Sequence, residues 1–349
     1  MERIVNYNEI PFARGKSVYF RMETDPKLYF TLLYKGYHIV NNIQDADQST
    51  IYVTGRRQDY LTSNTDEYTL KVTEDMLLSL KEKGFSKPKT ENFTFDKLFS
   101  HKYKVPFVLK NENQNGGREK FLIRTEQDYE SLVKSCLYLL DREVMFLGYL
   151  KTGDSRYQVD YSKYLEGNFS IQEYIHTPSE YNTTVRIITT PSYDLLYGSL
   201  KYNQVEEYDD RTSMLGMLLH DLYPLSTKSI VSNTLSGGEN ILLGEDHYSE
   251  EEKRLLDLHK IDSPEFQDLI HASEDIHHEF HPELGIICGF DYIYDEAKDK
   301  WHILEFHSRP MVGDYSRRQG ISYNTHEERL IAEGRVRATA FNKVLQKTR

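Results

Sequence analysis

Cysteine and tryptophan are almost missing from this 349-residue sequence, which holds only Cys136, Cys288 and Trp301 of these types. Two thiols cannot build a disulfide framework or a four-thiolate metal site, and their scarcity suits a reducing compartment. Positive charge is also short: 43 Lys and Arg against 55 Asp and Glu leave a net charge of −12. That balance repels nucleic-acid backbones and anionic membrane surfaces, so neither is expected as a partner. A single nucleotide is not excluded, because backbone amides and a few local cations override a global field. No apolar run approaches the roughly 18 residues of a membrane span. The opening MERIVNYNEIPFARGK lacks the apolar centre of a signal peptide. The expected location is cytoplasmic.

Tyrosine is what the chain has in excess, with 27 copies. Its apolar ring and polar tip suit cleft walls as well as cores. The length fits two or three domains, and three units are expected, over 1–100, 101–175 and 176–349. In the first, SVYFRM (17–22), YHIVNN (37–42) and TIYVTG (50–55) are β-prone runs between turn residues, and a helix is expected over 73–84, capped by Thr73 and ended by Gly84. The second opens with the apolar strand VPFVLK (105–110), a polar glycine-containing loop and FLIRT (121–125), then an amphipathic helix over 126–141. A strand at 169–175 closes the second unit, and the third holds strands at 184–190 and 194–202, a helix over 263–280, a hairpin from IICGFDYIYD (286–295) and KWHILEFH (300–307), and a last helix near 326–346.

The hairpin carries the clearest chemistry. If EAKDK (296–300) is a five-residue turn, Asp295 pairs with Trp301 and Asp291 lies opposite Glu305. Two carboxylates directly across a ladder repel unless a cation sits between them, and magnesium beside phosphates would serve. Two solvated carboxylates are the other reading. Arg186 lies in the apolar run TVRIITT, where an unpaired guanidinium is costly to bury, so an anionic partner is expected.

Taken in order, the segments from about 65 to 312 resemble the ATP-grasp superfamily, in its carboxylate–amine ligase branch. The resemblance implies an α+β fold: two α+β lobes clamp ATP, preceded by a small α/β N-terminal domain. LKVTEDMLLSLKEKGFSKPKT (70–90) places Lys71 as a phosphate-binding lysine ahead of a helix. PFVLK places Lys110 at the α- and β-phosphates, and NQNGGREK (113–120) is similar to the loop that covers the triphosphate, through Gly116 and Gly117. SIQEYIHTPSEYNTTVR (170–186) resembles the nucleotide hinge. It implies Glu173 at the adenine amine, the backbone of Tyr174 and Ile175 at the ring edge, and Glu180 at the ribose. Arg186 and Lys201 fall at the catalytic basic positions, and SNTLSGGE (232–239) supplies Asn233. GFDYIYD and ILEFHSRP are similar to the paired metal motif, making Asp291 and Glu305 ligands.

One departure stands out. The family usually carries Asn two residues after the second acidic ligand, whereas this chain has His307. An imidazole there favours manganese over magnesium more than an amide does, and implies activity falling as it protonates near roughly pH 6–6.5. Hydrogen bonding to a phosphate or substrate is the other role open to it.

The implied reaction is ATP-dependent joining of a small-molecule or peptide carboxylate to an amine through an acyl-phosphate, with ADP and phosphate released; a homodimer is compatible with it. A phosphotransferase acting on a hydroxyl and a non-catalytic ATP-binding regulator are the alternatives. Other motifs lead nowhere. Gly15, Lys16 and Ser17 end like a P-loop, but the glycine needed at position 10 is Ile10. His277, His278 and His281 lack zinc-protease spacing and read as a helix end.

Overall fold

The computed structural model describes residues 12, 15–20, 32–40, 45, 50–53, 67–112, 119–141, 145–150, 153–158, 161–178, 182–192, 194–203, 214–226, 239–307, 310 and 340–341. Within them the chain has an α+β fold with four sheets. Strands β1 (Ser17–Phe20), β2 (His38–Val40) and β3 (Ile51–Val53) form a small parallel sheet in the order β2-β1-β3. These are the three β-prone runs seen in the sequence.

Helix α1 spans Glu67–Glu82 and begins six residues before the expected start. Thr73 is therefore an interior residue and not a cap, and Lys71 lies inside the helix, not ahead of it. The end falls where expected. Gly84 takes φ 93°, Phe85 N–H bonds the Leu80 carbonyl at 2.9 Å and Gly84 N–H the Lys81 carbonyl at 3.0 Å. This Schellman closure satisfies two terminal carbonyls and brings the buried Phe85 and Leu80 together.

Strand β4 (Thr90–Asn92) and helix α2 (Phe95–Phe99) lead into β5 (Phe107–Asn111), β6 (Lys120–Ile123) and α3 (Glu126–Leu140). Thr125 and Asp128 form a capping box at the start of α3. Asp128 also accepts from Ser226 N–H at 2.6 Å, tying the helix start to a distant segment. A two-stranded ribbon, β7 (Met145–Leu150) with β8 (Gly153–Gln158), precedes α4 (Tyr161–Asn168) and β9 (Phe169–Glu173). The resulting antiparallel sheet runs β4-β9-β5-β6. Its inner face, with Phe107, Leu109, Phe121, Ile123, Phe169 and Ile171, packs on α3 and α4. Alternation along the strands then turns Lys110, Lys120 and Ser170 to the opposite face.

Strands β10 (Asn182–Thr190) and β11 (Asp194–Asn203) follow, then α5 (Met214–Met217), a π-helical turn (Leu218–Leu222) and β12 (Glu239–Leu242). Helices α6 (Glu250–Leu258), α7 (Pro264–Glu279) and α8 (His281–Leu284) lead to β13 (Cys288–Asp295) and β14 (Lys300–His307). Ser263 caps α7 and Pro264 occupies its first turn, where a missing N–H costs nothing. The five-stranded antiparallel sheet runs β12-β11-β10-β13-β14. Val185, Ile187, Leu200, Phe290, Tyr292, Trp301 and Ile303 form its apolar face, covered by α6, α7 and also α1 through Met76 and Leu80.

The unit expected over 1–100 is thereby divided. Helix α1 belongs to the core of the five-stranded sheet, and β4 pairs with β9. Leu215, Leu218 and Leu219 cross in the other direction, into the core beneath the four-stranded sheet. The last helix expected near 326–346 lies outside the described residues except for Ala340 and Phe341.

Candidate functional site

The site follows from what the five-stranded sheet leaves on its uncovered face. Arg186 on β10 is directly opposite Asp291 on β13 and Ser199 on β11, and Asp291 is opposite Glu305 on β14. One row of side chains therefore crosses four strands as Ser199, Arg186, Asp291 and Glu305. Lys201 sits two residues along β11 from Ser199, on the same face.

The Asp291–Glu305 pairing arises differently from the sequence expectation. Asp295 pairs with Lys300 and Tyr294 with Trp301, so the turn is one residue shorter than assumed. That register alone would set Asp291 against Leu304. A bulge intervenes: Tyr292 faces Ile303 while Asp291 faces Glu305, leaving Leu304 as the extra residue. Before the bulge Trp301 and Ile303 enter the core. After it Phe306 takes the core face, and Glu305 and His307 turn to the site. Trp301 and Ile303 therefore do not share a face with Glu305 and His307, as unbroken alternation would require, although the carboxylate pairing stands.

Asp291 is held tightly. Arg186 donates to it through two nitrogens, with Nε to Oδ1 at 2.5 Å, and Lys201 Nζ lies 3.7 Å from the same carboxylate. Burial raises the Asp291 pKa, but Arg186 and then Lys201 outweigh it and hold the carboxyl ionised far below the usual range. The anionic partner expected for Arg186 is thus internal. His307 Nε2 lies 3.3 Å from both Asp291 Oδ2 and Glu305 Oε1. For this imidazole burial favours the neutral form, but the nearby Glu305 and the hydrogen bond that Nε2 donates to Asp291 outweigh it and raise the pKa above 6.5.

Asp291, Glu305 and His307 bring one ligand atom each within 4.8 Å of one another. The donor set fits a divalent cation: two hard carboxylates and an imidazole. Arg186 uses part of the Asp291 carboxylate, yet such a group offers about four lone-pair positions, so the fork and a cation are compatible.

The four-stranded sheet brings cations to this cluster. Glu305 is buried enough to raise its pKa, but Lys120, His307 and Lys110 together hold it well below the ordinary value. Lys110 also pairs with Glu112, Nζ to Oε2 at 3.1 Å. Glu112 in turn accepts from Ser170 Oγ on β9. Lysines of one lobe and carboxylates of the other therefore act on each other.

In the segment expected to act as a nucleotide hinge, the polar groups meet other protein groups. Glu173 Oε1 accepts from Lys298 Nζ at 2.6 Å and Oε2 from Lys89 N–H at 3.3 Å. Lys298 belongs to the β13–β14 turn, so this pair joins the two large sheets. Ile175 is buried, and the Tyr174 ring packs edge-on to His176 at 4.7 Å. His176 O accepts from Glu296 N–H at 3.3 Å, a second tie to the same turn. Gly116, Gly117, Glu180 and Asn233 lie outside the described residues, as does the Lys71 side chain. Sequence reasoning passed over Lys120 and Glu112. The signal for Lys120 was present in the symmetry of the hairpin that sets it against Lys110. His277, by contrast, is a core residue. Its Nδ1 lies 2.8 Å from Thr189 Oγ1 and Nε2 donates to Gly285 O at 2.6 Å.

This is a two-lobed α+β fold with a charged face between antiparallel sheets. No protein-family model matches the sequence, and no curated protein does. Among solved structures the chain is similar to a D-alanine–D-alanine ligase from Bacillus anthracis complexed with ATP. The two share 11% identity over 93% of this chain and 98% of that one, with a TM-score of 0.34. It is also similar to the ATP-grasp ligase PsnB complexed with minimal precursor, at 10% identity over 93% and 80% of the chains and a TM-score of 0.37. The third is N5-carboxyaminoimidazole ribonucleotide synthetase from Thermotoga maritima, at 11% identity over 86% and 64%, TM-score 0.35. At such TM-scores these names say what the chain is similar to, and its own geometry carries the functional reading. No helix among the described residues is long and apolar enough to cross a membrane.

Proposed function

We propose that the chain is an ATP-grasp enzyme joining a carboxylate to an amine through an acyl-phosphate, with ADP and phosphate as products. One observation carries this reading: Asp291, Glu305 and His307 converge on one sheet while Lys110, from the other lobe, acts on the same Glu305. A cation site beside lysines on a separate sheet fits a metal-bound polyphosphate better than either ligand alone.

In this scheme Lys110 offsets phosphate charge. Arg186 and Lys201 face the transferring group and the activated acid while they fix the Asp291 carboxylate. A divalent cation held by Asp291, Glu305 and His307 would neutralise phosphoryl charge. The chain's remaining work is orientation and exclusion of water, which would otherwise hydrolyse the acyl-phosphate. No side-chain nucleophile is called for.

The Arg186–Asp291 fork favours a second reading, a protein that binds nucleotide without turnover, because an internal cation already neutralises one metal ligand. A screen of carboxylic acids and amines for ADP and phosphate release separates the cases. The ligase reading requires both products to depend on both substrates. ADP without phosphate, given a hydroxyl acceptor, marks a phosphotransferase, and nucleotide binding without ADP marks the second reading.

A further inference from the structure

Lys110 and Lys120 are direct partners across the β5–β6 ladder. Side chains in such positions stand about 5 Å apart at Cβ, and like charges there destabilise the pairing. An anion placed between two facing lysines removes that cost.

The protein supplies only part of that anion. Glu112 pairs with Lys110 at 3.1 Å and is held on its other side by Ser170 Oγ. Among the described residues, no carboxylate forms an ion pair with Lys120. Glu305 of the opposite sheet feels its charge at longer range, more than that of Lys110. Lys120 is partly buried, and it immediately follows Glu119, whose backbone adopts φ 50°. Glu119 is itself fixed, its Oε2 accepting from Tyr164 O–H at 2.8 Å and its carbonyl from Asn111 N–H at 3.0 Å. The β6 start is therefore held in place, and with it the register that keeps Lys120 facing Lys110.

We infer that Lys120 is a second phosphate-binding residue: with Lys110, its partner across the β5–β6 ladder, it forms a two-lysine clamp for the polyphosphate of the nucleotide. This deepens the nucleotide reading above and rests on it. The bland alternative is that Lys120 only steadies the ionised Glu305 and touches no ligand.

Calorimetric titration of the full chain with MgATP and MgADP tests the inference, using wild type, Lys120→Gln and Lys120→Arg, each checked for an unaltered melting transition. Losing one charged hydrogen bond to phosphate predicts a Kd raised about tenfold to hundredfold for both nucleotides in Lys120→Gln. Lys120→Arg, which keeps the charge, should remain within about threefold of wild type on the same scale. If wild type binds MgATP and Lys120→Gln binds it equally well, the clamp is wrong and the nucleotide reading stands. A loss that arginine does not rescue traces the effect to strand shape and also overturns the clamp. Wild type that binds neither nucleotide overturns the reading beneath it.

Discussion

The two large sheets handle charge in opposite ways. On the five-stranded sheet opposite charges are adjacent: Arg186 and Lys201 close on Asp291, and His307 bridges Asp291 and Glu305. On the four-stranded sheet like charges are adjacent, Lys110 against Lys120. The first face is largely neutralised within the protein. The second is neutralised only in part, by Glu112 on Lys110. Residues of the first should therefore matter chiefly for folding and metal binding, and those of the second chiefly for ligand binding.

The largest test of this division is Asp291→Ala. It leaves Arg186 and Lys201 facing each other in a mostly buried position, and removal of one buried partner costs about 3 kcal/mol or more. Urea unfolding should report that loss. The double variant Arg186→Met, Asp291→Leu should recover much of it, since apolar replacement of both partners is often neutral. A double variant as unstable as Asp291→Ala would show that the fork is not the source of the cost. On the other sheet, Lys110→Ala should weaken MgATP binding by about 1.5–3 kcal/mol yet change unfolding by only about 0.5 kcal/mol. A matching fall in both quantities would erase the contrast.

Acid should separate the lobes as well. Burial depresses the His277 pKa to about 3 from 6.5, so the unfolded state binds more protons between those values. Its contribution is complete above pH 6.5 and is lost as pH falls toward 3, reaching about 2 kcal/mol by pH 5. His259, also depressed chiefly by burial, acts in the same sense. For Asp128 beneath the other sheet, burial raises the pKa but hydrogen bonds from Ser226 and Thr125 outweigh it and lower it below 3.8. Its contribution is complete above 3.8 and is lost only at lower pH. Hydrogen exchange at pH 7 and pH 5 should therefore show α7 and its sheet losing protection before α3 does. His277→Gln should flatten that response.

The smallest expected effect concerns His307. Its raised pKa moves the acid limb of activity above pH 6.5, upward from the range expected from sequence. His307→Asn should remove the limb and shift preference from manganese toward magnesium. Initial rates across pH 5.5–8 with each metal would show it, and superimposable profiles would leave His307 as a hydrogen-bonding residue only.

Much of this was legible in the chain. Periodicity marked α3 and α7, and β-prone runs marked the strands, because each element has one apolar face. The start of α1 was hidden: Glu67–Thr73 carries no periodic signal of its own, and the helix extends there because its later turns pack, through Met76 and Leu80, into the core of the five-stranded sheet. The Asp291–Glu305 pair was reached through a turn one residue too long, an error that the Leu304 bulge cancels. Bulges depend on cross-strand fit and leave no mark in alternation. The need of Arg186 for an anion was readable, but which anion was not, since its partner lies 105 residues away. Glu173 read as an adenine contact because its pairing with Lys298 depends on how the lobes meet.

The extra residue at Leu304 also makes β14 a strand with two reading frames. Upstream of it odd-numbered side chains are core, and downstream even-numbered ones are. Deleting Leu304 would leave an unbroken alternation in which Phe306 stays in the core, Glu305 and His307 stay on the site face and Asp291 still meets Glu305. What the extra residue adds is local twist and bend: Leu304 should tolerate many substitutions, and its deletion should straighten the strand while leaving the carboxylate pair in place.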